Sequence, residues 1–111
     1  MSLPITGKLV RDFIPKIIKE SGKVPVTCQV SGVDLYQALK MKAREEIDEL
    51  FESESSEVLE EIADVYEVLM SLVRSQNQEW STIEHIATSK RNKRGGFDEG
   101  QWLLETKDAT G

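Results

Sequence analysis

Residues 44–70 read REEIDELFESESSEVLEEIADVYEVLM. Two helical patterns meet here across Ser53-Glu54-Ser55-Ser56, the one plausible turn of the stretch. Each carries an acidic pair at spacing three, Glu46 with Glu49 and Glu61 with Asp64. Residues three apart are neighbours on a helix surface, so each pair points one way as a two-carboxylate claw. The two pairs are placed symmetrically about residue 55, the mean of 46 and 64 and also of 49 and 61. A short connection makes the two helices antiparallel neighbours. Folding there sets Glu46 level with Asp64 and Glu49 level with Glu61. Helix rotation then decides whether the four face one another.

The apolar stripes report that rotation. A helix turns about 100° per residue. With Leu39 at zero, Leu35, Ala43 and Leu50 fall within roughly 40° and form a buried stripe. Glu46 falls inside this stripe, about 20° from Leu39, and Glu49 on its edge, with Asp48 on the far side. In the next helix, Leu59, Ala63, Tyr66, Met70 and Val73 form one stripe. Val58, Val65, Val68 and Leu72 form a second, which contains Glu61 and has Asp64 on its flank. Carboxylates therefore stand where the pattern asks for apolar residues. Burying unpaired carboxylates is costly, and like charges raise one another's pKa. A hard cation removes that penalty, and Mg²⁺ takes oxygen ligands while sharing substrate phosphates. Ion pairs to Lys42 or Arg44, or a solvated acidic face, are the alternatives that the residues leave open.

Glu46-x-x-Glu49 followed by Glu61-x-x-Asp64 resembles the ExxE…ExxD signature of the all-α nucleoside triphosphate pyrophosphohydrolases, the MazG-like superfamily. Lys8-Leu-Val-Arg-Asp-Phe-Ile-Pro15 and Lys93-Arg-Gly-Gly-Phe97 resemble motifs of its small single-domain, house-cleaning branch. The three motifs occur in the expected order over roughly residues 8–97.

The resemblance implies Mg²⁺ held by Glu46, Glu49, Glu61 and Asp64, with Mn²⁺ as a substitute. It implies hydrolysis of an ordinary or modified nucleoside triphosphate to monophosphate and pyrophosphate. The segment from Lys8 to Asp12 is placed near the nucleotide, making Lys8 and Arg11 phosphate-binding candidates. Arginine can grip phosphate bidentately. Lys90, Lys93 and Arg94 become the clamp for the β- and γ-phosphates. Glu49, at the stripe edge and nearer solvent than Glu46, is the candidate general base for a water attacking the α-phosphorus. No Ser–His or Cys–His nucleophile is readable, so direct water attack is the simpler chemistry. Two competing readings remain: a non-enzymatic acidic helical oligomerisation module, and a dedicated deoxynucleotide or phosphoribosyl-ATP pyrophosphohydrolase.

The whole chain bounds these readings. Its 111 residues suit one domain, and 31% charged with 6% aromatic residues suits a helical protein rather than a β-sandwich. The net charge of −6 argues against binding a nucleic-acid backbone by bulk electrostatics. Cys28, the single cysteine, excludes an internal disulfide and a zinc site and fits a reduced cytoplasmic setting. No apolar run approaches membrane-spanning length, and no secretory signal is present.

The fold expected is an all-α bundle of four helices. The first covers residues 8–22, with Asp12 as N-cap, Pro15 in the first turn, Gly22 as the stop, and Ile14, Ile17 and Ile18 inward. The second covers about 35–52, capped by Asp34, and the third about 57–77, capped by Ser55 or Ser56. The fourth covers about 82–93, opened by the capping box Ser81-Thr-Ile-Glu84 with Ile83, Ile86 and Ala87 inward. Its basic end before Gly95 also suits a helix C-terminus, where lysine and arginine complement the dipole. Trp80 reads as a core or interface residue, and His85 as a surface or packed one. Residues 26–30 and 101–105 form at most a minor two-stranded ribbon. The third helix has two apolar stripes, and a single amphipathic helix needs one buried face. A second subunit therefore has a face to cover, which predicts a homodimer or higher oligomer.

Overall fold

In the computed structural model, which describes residues 3–4 and 6–110, the protein is all-helical, with four helices and no strand among the described residues. These are α1 (Ile14–Glu20), α2 (Gly32–Glu52), α3 (Val58–Ser75) and α4 (Trp80–Arg94). The chain divides into two compact units, Met1–Trp80 and Ser81–Gly111.

In the first unit the packing is α2 against α3. The connection lies at residues 53–57, centred where the acidic pairs placed it. Ser53 leaves the helix in an extended conformation (φ −71°, ψ 149°), and its hydroxyl donates to the Leu50 carbonyl at 2.8 Å. The Glu57 N–H then closes the turn on the Glu54 carbonyl at 2.9 Å. Ala38, Leu39 and Val68 are buried between the two helices, with Leu35, Ala43, Leu50, Val58, Val65 and Leu72 half-buried around them. The face of α3 turned to α2 is thus the stripe that contains Glu61. The other stripe is open at its start, where Leu59 is 80% exposed and Ala63, Tyr66 and the adjoining Ile62 are exposed, while Met70 and Val73 farther along are half-buried.

Glycine and asparagine close the helices. Past α1, Gly22 adopts φ +88°, and the Gly22 and Lys23 N–H groups return to the Lys19 and Ile18 carbonyls. This is a Schellman closure. Asn77 plays the same part after α3 at φ +57°, with Gln78 N–H on the Val73 carbonyl. Beyond it, Trp80 meets Tyr66 edge-to-face at 5.0 Å. That contact gives the indole the packed role expected of it, worth about 0.5–1.5 kcal/mol beyond burial.

Several starts differ from the sequence reading. α1 begins at Ile14 with Phe13 as N-cap, so Asp12 caps nothing, and Ile17 is exposed rather than inward. Ser31 rather than Asp34 caps α2, and Glu57 rather than Ser55 or Ser56 caps α3, both without a side-chain bond. In the α3 case the backbone turn itself delivers the chain into the helix, and the Glu61 N–H bonds the Glu57 carbonyl at 3.1 Å. No free cap position is left for the serines.

The second unit comprises α4 and the segment after it. α4 begins at Trp80, so Ser81 lies within the helix rather than before it, and the capping box does not form. Ile83 is half-buried, whereas Ile86 and Ala87 are exposed. Gly95, at φ +81°, bonds the Arg91 carbonyl at 2.8 Å and ends the helix where expected. The ribbon is absent: neither 26–30 nor 101–105 is a strand. Pro25 withholds an N–H from one segment, and Val26 and Leu104 are both largely exposed, so neither has an apolar face to hold it. No described helix is long and apolar enough to cross a membrane.

Truncating the central leucine, Leu39→Ala, is expected to lower stability by about 2–4 kcal/mol in urea unfolding. Asp12→Ala is expected to stay within about 0.5 kcal/mol. A loss at Asp12 as large as a lost cap, about 1 kcal/mol, would restore the earlier helix start.

Candidate metal centre

The α2–α3 packing brings three of the four expected ligands together, Glu46, Glu61 and Asp64, whereas Glu49 is exposed and falls outside that trio. Glu46 faces α3 from the buried stripe of α2, and the residue is only 8% exposed. Glu61 and Asp64 face it half-buried from the first two turns of α3. One carboxylate oxygen from each of Glu46, Glu61 and Asp64 lies within 4.8 Å of the others. A second trio, Glu45, Glu46 and Glu49, meets the same criterion on α2 alone. Glu46 is the member common to both.

The buried oxygens have unequal fates. Glu46 Oε1 receives the Lys42 ammonium at 3.3 Å, while Glu46 Oε2 is buried with no hydrogen-bond partner. Glu61 Oε2 is likewise buried and unpartnered. A buried acceptor left unpaired carries its full desolvation penalty. These two atoms therefore mark a place that wants a positive charge. All-oxygen donors suit a hard divalent cation such as Mg²⁺ or Mn²⁺ rather than a thiophilic one. On donor chemistry the residues fit the ion.

Two of the carboxyl pKa values are raised, one first by a neighbouring carboxyl and the other first by burial. Glu49 is pushed up chiefly by the neighbouring Glu46 carboxyl, which favours a shared proton and repels the second charge, and then by burial, Glu61 and Glu45. Glu61 is pushed up first by burial, then by Asp64 and Glu46. Its place in the first turn of α3, where the helix dipole favours an acid, does not offset this.

Of the basic candidates, Arg11 comes to the cluster: its guanidinium donates to Asp64 Oδ1 at 2.7 Å. Lys8 lies 3.9 Å from Glu45 Oε1. Lys90, Lys93 and Arg94 are exposed in the last turns of α4 and belong to the second unit, as do the shallow grooves lined by His85, Ser89 and Lys93. Their assignment to phosphates rests on the sequence resemblance alone. Glu45 is the member that sequence reasoning missed. It stands one residue from Glu46 and one turn beyond Lys42, whose ammonium reaches it at 3.4 Å.

Comparison with known proteins returns no matching family model, no matching curated protein and no matching solved structure.

A carboxyl whose folded pKa is raised binds its proton more tightly in the native state, so stability rises as pH falls through that folded value. The metal-free protein should accordingly gain stability between neutral pH and the ordinary carboxylate range, where Glu49 and Glu61 take up protons. Urea midpoints measured in chelator over that window check the sign. A midpoint that fell instead would mean that repulsion in the cluster is not what limits the fold.

Proposed function

We propose that the protein is a divalent-metal-dependent nucleoside triphosphate pyrophosphohydrolase of the MazG-like all-α kind. The observation that carries the reading is Glu46, buried in a helix interface with one oxygen unpartnered and set against Glu61 and Asp64. A chain that needed only an acidic surface would leave that position solvated. The chain-order resemblance of the Lys8–Pro15, Glu46–Asp64 and Lys93–Phe97 segments supports the same reading.

Glu46, Glu61 and Asp64 would hold the cation, with Glu49 at the open edge. A bound ion there would supply positive charge to offset the charge developing at the α-phosphorus. Glu49 is exposed and its carboxyl binds a proton more readily than usual, which suits it to take a proton from the attacking water. The water oxygen forms the new bond to the α-phosphorus. The bond from that phosphorus to the oxygen bridging the β-phosphate breaks, and pyrophosphate leaves. Arg11 lies beside Asp64 with its side chain 57% exposed, free to turn toward a phosphate while its backbone stays in place.

The test is pyrophosphate release from a panel of ordinary and modified ribo- and deoxyribonucleoside triphosphates, with Mg²⁺ and with chelator. Wild type should release pyrophosphate only with metal. Glu61→Gln should lose at least about 10–100-fold in rate, with its helical circular dichroism kept. Absence of both Mg²⁺ binding and release in a folded protein would leave the acidic helical module as the reading.

A homo-oligomer belongs to the same proposal. Phe51 and Leu59 are more than three-quarters exposed, and Ile62 and Tyr66 continue the open apolar stripe along α3. Contiguous exposed apolar surface marks an interface. Wild type is expected to sediment as a dimer or larger, and Leu59→Glu combined with Ile62→Glu to sediment as a monomer. A monomeric wild type removes this part of the proposal.

A further inference from the structure

The two carboxylate trios share Glu46, and each has the geometry to receive a cation. They differ in what already fills them. Lys42, one turn before Glu46 on α2, places its ammonium 3.4 Å from Glu45 Oε1 and 3.3 Å from Glu46 Oε1. Its side chain is only 16% exposed, so the charge is held in place by packing along the stem rather than waving in solvent. The Glu45–Glu46–Glu49 trio thus has a resident cation, supplied by the chain itself.

The trio facing α3 has only a looser, more exposed one, Arg11. Of its members, Glu46 and Glu61 each have a buried Oε2 with no partner among the described residues, and the Glu46 side chain is nine-tenths buried. The basic group at that trio, Arg11, meets Asp64 alone, through a side chain more than half exposed. An exposed guanidinium yields its place at little cost, whereas the packed ammonium does not.

We propose that the Lys42 ammonium takes the place of a second metal ion, so that the centre holds a single divalent cation, on Glu46, Glu61 and Asp64. Lys42 is then a positioning residue. It fixes Oε1 of Glu46 and leaves Oε2 turned to the ion, and it bars a neighbouring ion by like-charge repulsion. This inference rests on the metal reading above and adds the number of ions and the residue that sets it.

The experiment counts Mn²⁺ bound to the full, chelator-stripped chain by equilibrium dialysis, alongside its electron paramagnetic resonance spectrum. Wild type should bind about one Mn²⁺ per chain with the spectrum of an isolated ion. Lys42→Gln should bind about two, with the broadening of a coupled pair, and Lys42→Arg, which keeps the charge, about one. Two coupled ions in wild type overturn the inference while leaving the metal reading intact. So does a Lys42→Gln protein that is folded by circular dichroism and still binds one. Should Lys42→Gln not fold, Lys42→Met keeps the stem packing and gives the same comparison, and the wild-type count decides by itself. No Mn²⁺ on any of the proteins overturns the metal reading and this inference with it.

Discussion

The carboxylate of Glu46 sits in the seam between α2 and α3, and the architecture of the first unit turns on it. The buried residues among those described are Ala38, Leu39, Val68 and Glu46, so one of four is an acid. Taking a charge out of water costs several kcal/mol even after relaxation. Lys42 compensates one of its oxygens, and among the described residues none compensates the other. Glu61, half-buried across the interface, has the same unmet oxygen.

The apolar side of the balance is thin. Small domains bury a limited fraction of their surface and are correspondingly marginal. Here the buried apolar set is small, while Phe51 and Leu59 at the α2–α3 turn and Ile62 farther along α3 remain exposed. On the proposed reading, a cation in the seam and a second subunit on the open stripe would each stabilise the native state by mass action. Function and stability would then be coupled through the same helix pair.

Much of this was legible in residues 35–73. The spacing of the acidic pairs about residue 55 located the turn, and the angle of Glu46 relative to Leu39 located a carboxylate in the buried stripe. Both are consequences of helical period, which is insensitive to detail. Helix starts were less legible. Asp12, Asp34 and Ser81 are all good capping residues by type, yet none caps, because the cap is decided by where the backbone leaves its turn. At α3, the turn closed by Glu54 and Glu57 does what a serine was expected to do. The minor ribbon that residues 26–30 allowed does not form for a related reason: the run has extended propensity, but propensity without a partner face does not make a strand.

The sequence by itself determined four helices, the position of the central turn and the identity of the acidic residues that meet across it. Those follow from periodicity and chain connectivity, which are local. Only the tertiary structure decided which of the two α3 stripes packs on α2. It also decided that Glu46 is shared by two trios, that Lys42 pairs with both Glu45 and Glu46, and that Arg11 reaches Asp64 from residues far away in the chain. Such choices depend on distances of a few ångströms between side chains that no spacing rule relates, and in a buried seam those distances decide which charges are met and which are left waiting.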